Sequence, residues 1–236
     1  MKNPTIVVVH GAFADSSGFN EINQRLLADG YPVVAAPNPL RGVNSDAAQV
    51  KALLATIEGP IVLVGHSYGG AVISGAATGN ANVKALVYLA AFVPDTGEAV
   101  GELVDRFPGS TVNESLRPVP LPGGQVDLYI DPRVFHERFA GDVPAQEAAL
   151  YAIAQRPATA TAFGEPAAGE QAWHTIPSYN LISGADKIIP PALQEFMAKR
   201  ANATVQVVEG ASHMVFVSEP GTTVAFIEQA ARETAG

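Results

Sequence analysis

Gly65-His66-Ser67-Tyr68-Gly69-Gly70 sets a serine in a G-x-S-x-G pattern, straight after the apolar run Pro60–Val64 and just before the helix-like stretch Ala71–Thr78. A strand-to-helix turn of this kind holds the serine in a strained backbone. Side chains two residues before and after it would collide, so Gly65 and Gly69 must lack them, and Gly70 lets the helix pack closely. A serine hydroxyl is a weak nucleophile, and it needs a histidine to take its proton and an acid to fix that histidine's tautomer. Five histidines compete for the role. His10 and His66 stand at strand-to-loop junctions, and His136 and His174 fall in or beside a region broken by proline and glycine. His213, in Gly210-Ala211-Ser212-His213, follows the last strand-like run and is the expected base. Asp186, on a short loop after Leu181-Ile182-Ser183-Gly184, fits the acid between Ser67 and His213 in chain order, with Asp95 the alternative. Acyl transfer also needs N–H donors for a developing oxyanion. The backbone of Tyr68 would give one; the loop His10-Gly11-Ala12-Phe13 would give the other, from Ala12 or, as second choice, Phe13.

The elements that must hold these residues read as α/β. Thr5–His10, Pro32–Ala36, Pro60–Val64 and Val83–Leu89 are short, nearly all-apolar runs ending in turn residues, as parallel strands covered on both faces are. Phe19–Asp29 and Ser45–Ile57 carry apolar residues at helical spacing between them. After Val93-Pro94-Asp95 the character changes: Pro108, Pro118, Pro120, Pro122 and Gly123-Gly124 interrupt the chain before a helical stretch over about Pro132–Ala154. The segment 96–171 reads as an inserted cap or lid with no further sheet. Strand-like runs return at Ser178–Ser183 and Thr204–Val208, followed by helices over Pro191–Arg200 and Glu219–Glu233. No internal repeat is visible, and 236 residues suit a single domain, 1–236, around one core.

Composition narrows the function. Charged residues are 16% and hydrophobic ones 47%, which fits a well-buried globular chain. A formal charge of −9 with no basic run argues against a nucleic-acid partner. The absence of cysteine removes thiol catalysis, disulfides and Cys-ligated metals. Scattered histidines offer no metal-ligand spacing, the glycines do not space as a dinucleotide fingerprint, and no cofactor is expected. No apolar stretch reaches the roughly 20 residues that cross a bilayer, and Met1-Lys2-Asn3-Pro4 leads into Thr5–Val9 with no secretory signal. A cytoplasmic protein, monomer or homodimer, without membrane partners is expected.

The segments VVVHGAF, VLVGHSYGG, YLAAFVPD, LISGADKIIPP and EGASHM together resemble the α/β-hydrolase superfamily, in the small branch of plant methyl esterases and hydroxynitrile lyases. The resemblance implies a mostly parallel sheet of about six strands flanked by helices, beginning at Thr5–His10. It also implies an ester hydrolase rather than a lyase. The S-selective lyase pattern has Thr where this chain has Gly11 and Lys where it has Met214, and the R-selective pattern has Asn at Ala12. The expected substrate is a small to medium, largely apolar carboxylic ester, with Phe13, Phe107, Tyr129, Phe135, Trp173, Met214 and Phe216 as candidate pocket residues. The same fold and triad also serve perhydrolase or haloperoxidase, lactonase and carbon–carbon hydrolase chemistry, and a non-catalytic binder of small acids would keep the pocket.

Overall fold

The computed structural model describes residues 3–234; Met1 and Lys2, on which the reading of the N-terminus partly rests, lie outside the described residues. The first part of the chain alternates β1 (Thr5–Val9), α1 (Asn20–Ala28), β2 (Val33–Ala36), α2 (Val43–Leu54), β3 (Ile61–His66), α3 (Tyr68–Ala76) and β4 (Val83–Leu89). Every residue of β3 is buried, as a central strand covered on both faces requires. Several boundaries shift by one to three residues from expectation, and three of these shifts bear on the site. His10 falls in the loop after β1, β3 runs on to His66, and α3 starts at Tyr68 immediately after the serine. The last follows from packing, which needs Gly69 and Gly70 where they stand even though glycine is a poor helix former.

Between β4 and the next parallel strand the chain forms α4 (Val100–Val104), α5 (Val112–Ser115), β5 (Leu116–Pro120), β6 (Val126–Ile130), α6 (Pro132–Phe139), α7 (Ala145–Ala154), β7 (Ala158–Thr159) and α8 (Ala160–Gly164). Two expectations are corrected here. This segment does hold sheet: β5, β6 and β7 pair antiparallel in that order. Pro118 and Pro120 fit because β5 is an edge, where a missing N–H costs no ladder bond. The helix expected over Pro132–Ala154 is two, because Gly141-Asp142-Val143-Pro144 interrupts it and Pro144 caps α7.

β8 (Ser178–Ser183), α9 (Pro191–Arg200), β9 (Thr204–Val208), α10 (Val215–Ser218) and α11 (Pro220–Glu233) complete the chain. The large sheet has the order β2-β1-β3-β4-β8-β9, and every pair in it is parallel. Helices pack on it in pairs, α1 with α11 and α2 with α3. No helix among the described residues is long and apolar enough to cross a membrane.

Candidate active site

The carboxyl ends of β1, β3, β8 and β9 each lead into a loop that carries one of the residues singled out above, as an open parallel sheet arranges its sites. Ser67 lies directly after β3 with φ 53°, a left-handed conformation that a non-glycine residue rarely takes. Its backbone is held on both sides. Its N–H donates to the Leu89 carbonyl (3.3 Å), and its own carbonyl accepts from Gly70 (3.0 Å) and Phe92 (3.1 Å). The glycines around it have no room for a side chain. A Cβ on Gly65 would lie 2.7 Å from the Gly69 carbonyl oxygen, and one on Gly69 only 2.4 Å from that of Val9.

His213 and Asp186 meet at 2.7 Å between Nδ1 and Oδ2, and both side chains are fully buried. The carboxylate is held from every side. Oδ1 accepts from the Ile188 (2.7 Å) and Ile189 (3.0 Å) amides, and Oδ2 accepts from Gln194 Nε2 (2.9 Å) as well as from the imidazole. A carboxyl oxygen facing Nδ1 favours the tautomer of His213 that donates from Nδ1 and keeps Nε2 as the acceptor. That Nε2 is buried without a hydrogen-bond partner among the described residues.

His66 ties this pair to the serine. Its Nε2–H donates to the His213 carbonyl (2.9 Å), and the two rings lie 4.7 Å apart. Burial, reinforced by the neighbouring His213, holds the His66 pKa well below the usual histidine value, so the ring next to Ser67 stays neutral. On the other side, the edge of Phe139 faces the His213 ring at 4.7 Å between centroids. Asp95, the alternative acid, is turned away and pairs with His174 at 3.0 Å.

The two expected oxyanion donors stand open. Neither the Ala12 nor the Tyr68 amide has a hydrogen-bond partner among the described residues. Phe13 is ruled out as a donor, because its N–H is spent on the Arg156 carbonyl (3.0 Å). The Tyr68 side chain is fully buried, and its hydroxyl donates to Asp46 Oδ2 (2.9 Å). Burial raises the pKa of Asp46 despite this bond and those from the Arg41 and Gly42 amides.

Above Ser67 lies a cavity of about 310 Å³. Ala12, Phe13, Ser67 and Phe92 come from the sheet ends; Val104, Val112, Leu116, Leu128 and Phe163 come from the segment between β4 and β8. Glu102 and Asn113 are its polar residues besides the serine. Of the aromatic residues expected to line it, Phe13 alone does so, and the others are corrected as follows. Phe107 packs on Phe196 (5.6 Å between centroids), Phe135 lies behind Phe139 (4.8 Å), and Phe216 stacks near His66 (4.5 Å). Trp173 donates its indole N–H to Pro94 (2.8 Å), Tyr129 faces an outer groove with Val119 and Ile153, and Met214 borders a small crevice with Gly18 and Tyr151. Phe107, Phe135, Trp173 and Phe216 serve packing, Tyr129 and Met214 face other surfaces, and the cavity wall is mostly aliphatic. Gln194, Asp46, Glu102 and Phe163 have no motif to announce them; only the docking of their elements brings them here. No group of three or more His, Asp or Glu side chains is gathered for a metal ion among the described residues.

Residues 6–226 match the model of the Alpha/beta hydrolase family. An alpha-hydroxynitrile lyase of Arabidopsis thaliana is 25% identical, over 91% of this chain and 92% of its own. A pyrethroid hydrolase of Sphingobium wenxiniae is 29% identical, over 91% of this chain and 83% of its own. The crystal structure of polyneuridine aldehyde esterase superposes with a TM-score of 0.82 at 17% identity, covering 96% of this chain and 98% of that one.

Proposed function

Since the chain belongs to the alpha/beta hydrolase family, we propose that it is a serine carboxylesterase acting through Ser67, His213 and Asp186 on small to medium, largely apolar esters. The observation that supports this reading is the buried His213–Asp186 pair, its outer nitrogen unpartnered among the described residues, together with a strained Ser67 that lines an apolar cavity. Bound ester brings the Ser67 hydroxyl into hydrogen bonding with Nε2, a contact that tightens in the Michaelis complex. Ser67 Oγ attacks the ester carbonyl as its proton passes to His213 Nε2, and Asp186 stabilises the imidazolium. The Ala12 and Tyr68 amides take the oxyanion. Collapse breaks the bond to the alkoxy group, which leaves as the alcohol with the proton from His213. Water, deprotonated by His213, then cleaves the acyl-serine, and the carboxylic acid departs while Ser67 regains its proton. The segment 96–171 acts as a cap that supplies the aliphatic wall for the acyl or alcohol group.

The relative named as a lyase raises the rival of cyanohydrin cleavage. Gly11 speaks against it. A Cβ there would lie 2.6 Å from Ser67 Cβ, so this backbone leaves no space for the threonine of the S-selective pattern. The test is hydrolysis of p-nitrophenyl esters of increasing acyl length and of methyl esters of aromatic acids by wild type and Ser67→Ala. Turnover by wild type alone supports the reading, and near wild-type turnover by Ser67→Ala overturns it.

A further inference from the structure

The reaction turns an uncharged ester into a carboxylate inside a cavity that offers no cationic side chain to balance it among the described residues. Among the described residues the cavity lining has no lysine, arginine or histidine, and its one charged residue is Glu102. Glu102 lies on α4, exposed; its N–H donates to the Ala99 carbonyl (3.1 Å), and its side chain makes no hydrogen bond or ion pair among the described residues. Arg106, in the turn just after α4, is engaged elsewhere: it pairs with Glu98 (3.4 Å) and stacks over Phe196 (4.2 Å). Arg138, on α6, pairs instead with Glu114 (3.7 Å). Asn113, the other polar lining residue from this segment, donates its side-chain amide to Asp105 (3.0 Å).

We propose that Glu102 is a specificity-determining residue that filters by charge, admitting neutral esters, rejecting those that already carry a carboxylate, and speeding the departure of the acid product. The proposal rests on the esterase reading above. The physical basis is plain repulsion between like charges, weak because Glu102 faces water and open to salt screening. Its chemistry also assigns the substrate class, esters whose acyl and alcohol parts bear no anionic group.

The test separates this filter from catalysis by using Ser67→Ala protein, which binds without reacting. Calorimetric titration with 3-phenylpropanoate and with 3-phenylpropanamide gives the ratio of affinities for the charged and the uncharged form. The expected result is tighter binding of the amide. Adding Glu102→Gln raises the relative affinity of the carboxylate about threefold at low salt, and Glu102→Lys raises it about tenfold, with both gains shrinking in 0.5 M salt. An unchanged ratio in Glu102→Lys at low salt overturns the filter, as does failure of either probe to bind any variant. Failure of the ester series above would overturn the esterase reading and leave these binding ratios untouched.

Discussion

Asp186 has a more confined setting than a helix cap or a surface loop needs, with two backbone amides, Gln194 and His213 all donating to it. That confinement predicts a particular failure on substitution. Asp186→Asn keeps the size but removes the charge, and its amide favours the wrong histidine tautomer. Steady-state kinetics should show kcat lower by about 10³–10⁴-fold with little change in KM. A loss under tenfold would argue that Asp186 only supports the loop. The places of Ser67, His213 and Asp186 after strand ends were legible in the sequence because each follows a strand-like run, and the contact that joins His213 to Asp186 rather than to Asp95 appears only in the folded chain. The pocket residues were not. Aromatics in a long insertion stand out in a sequence, yet Phe135 and Trp173 are consumed by packing while Val104, Leu116 and Leu128 form the wall. Gln194 reaches Asp186 only because α9 docks beside β8, a contact with no local signature.

The turn after β3 depends on the close approach of α3 to β1. Gly69→Ala places a methyl 2.4 Å from the Val9 carbonyl oxygen, a contact with backbone that no rotamer relieves. Overpacking of this kind costs typically about 1–3 kcal/mol, so urea denaturation should give a midpoint clearly below wild type, and an unchanged midpoint would contradict the packing described. All six strands of the large sheet were readable as apolar runs, and Val83–Leu89, Ser178–Ser183 and Thr204–Val208 match residue for residue. The small sheet was hidden. Leu116-Arg117-Pro118-Val119-Pro120 reads as broken chain, and only its position at an edge makes the prolines tolerable. The break in the long helix had a visible cause in Gly141 and Pro144, outweighed by the helical spacing on either side.

At the scale of the whole molecule, the sheet ends and the segment between β4 and β8 are tied together by Arg41, which pairs with Asp127 (2.6 Å) and donates to the Pro157 carbonyl (2.8 Å). Ser212 likewise donates to Asp142, next to the His213 loop. Stability should carry the mark of the histidines buried beneath. Burial lowers the pKa of both His66 and His10 from 6.5. Unfolding therefore takes up protons once the pH falls below about 6.5, and stability is lost as the solution becomes more acid. Urea unfolding between pH 7 and pH 5 should show stability falling with pH, with a slope rising toward about 1.4 kcal/mol per pH unit for His66 and a smaller addition from His10; a flat profile would contradict the neutrality of His66. The most direct test of the central claim is to quench wild-type protein early in turnover of p-nitrophenyl acetate and measure intact mass, then map the adduct. The account predicts one acetyl group per chain, on Ser67, and none in Ser67→Ala. Turnover with no acyl-protein, or with the acyl group on another residue, would contradict it.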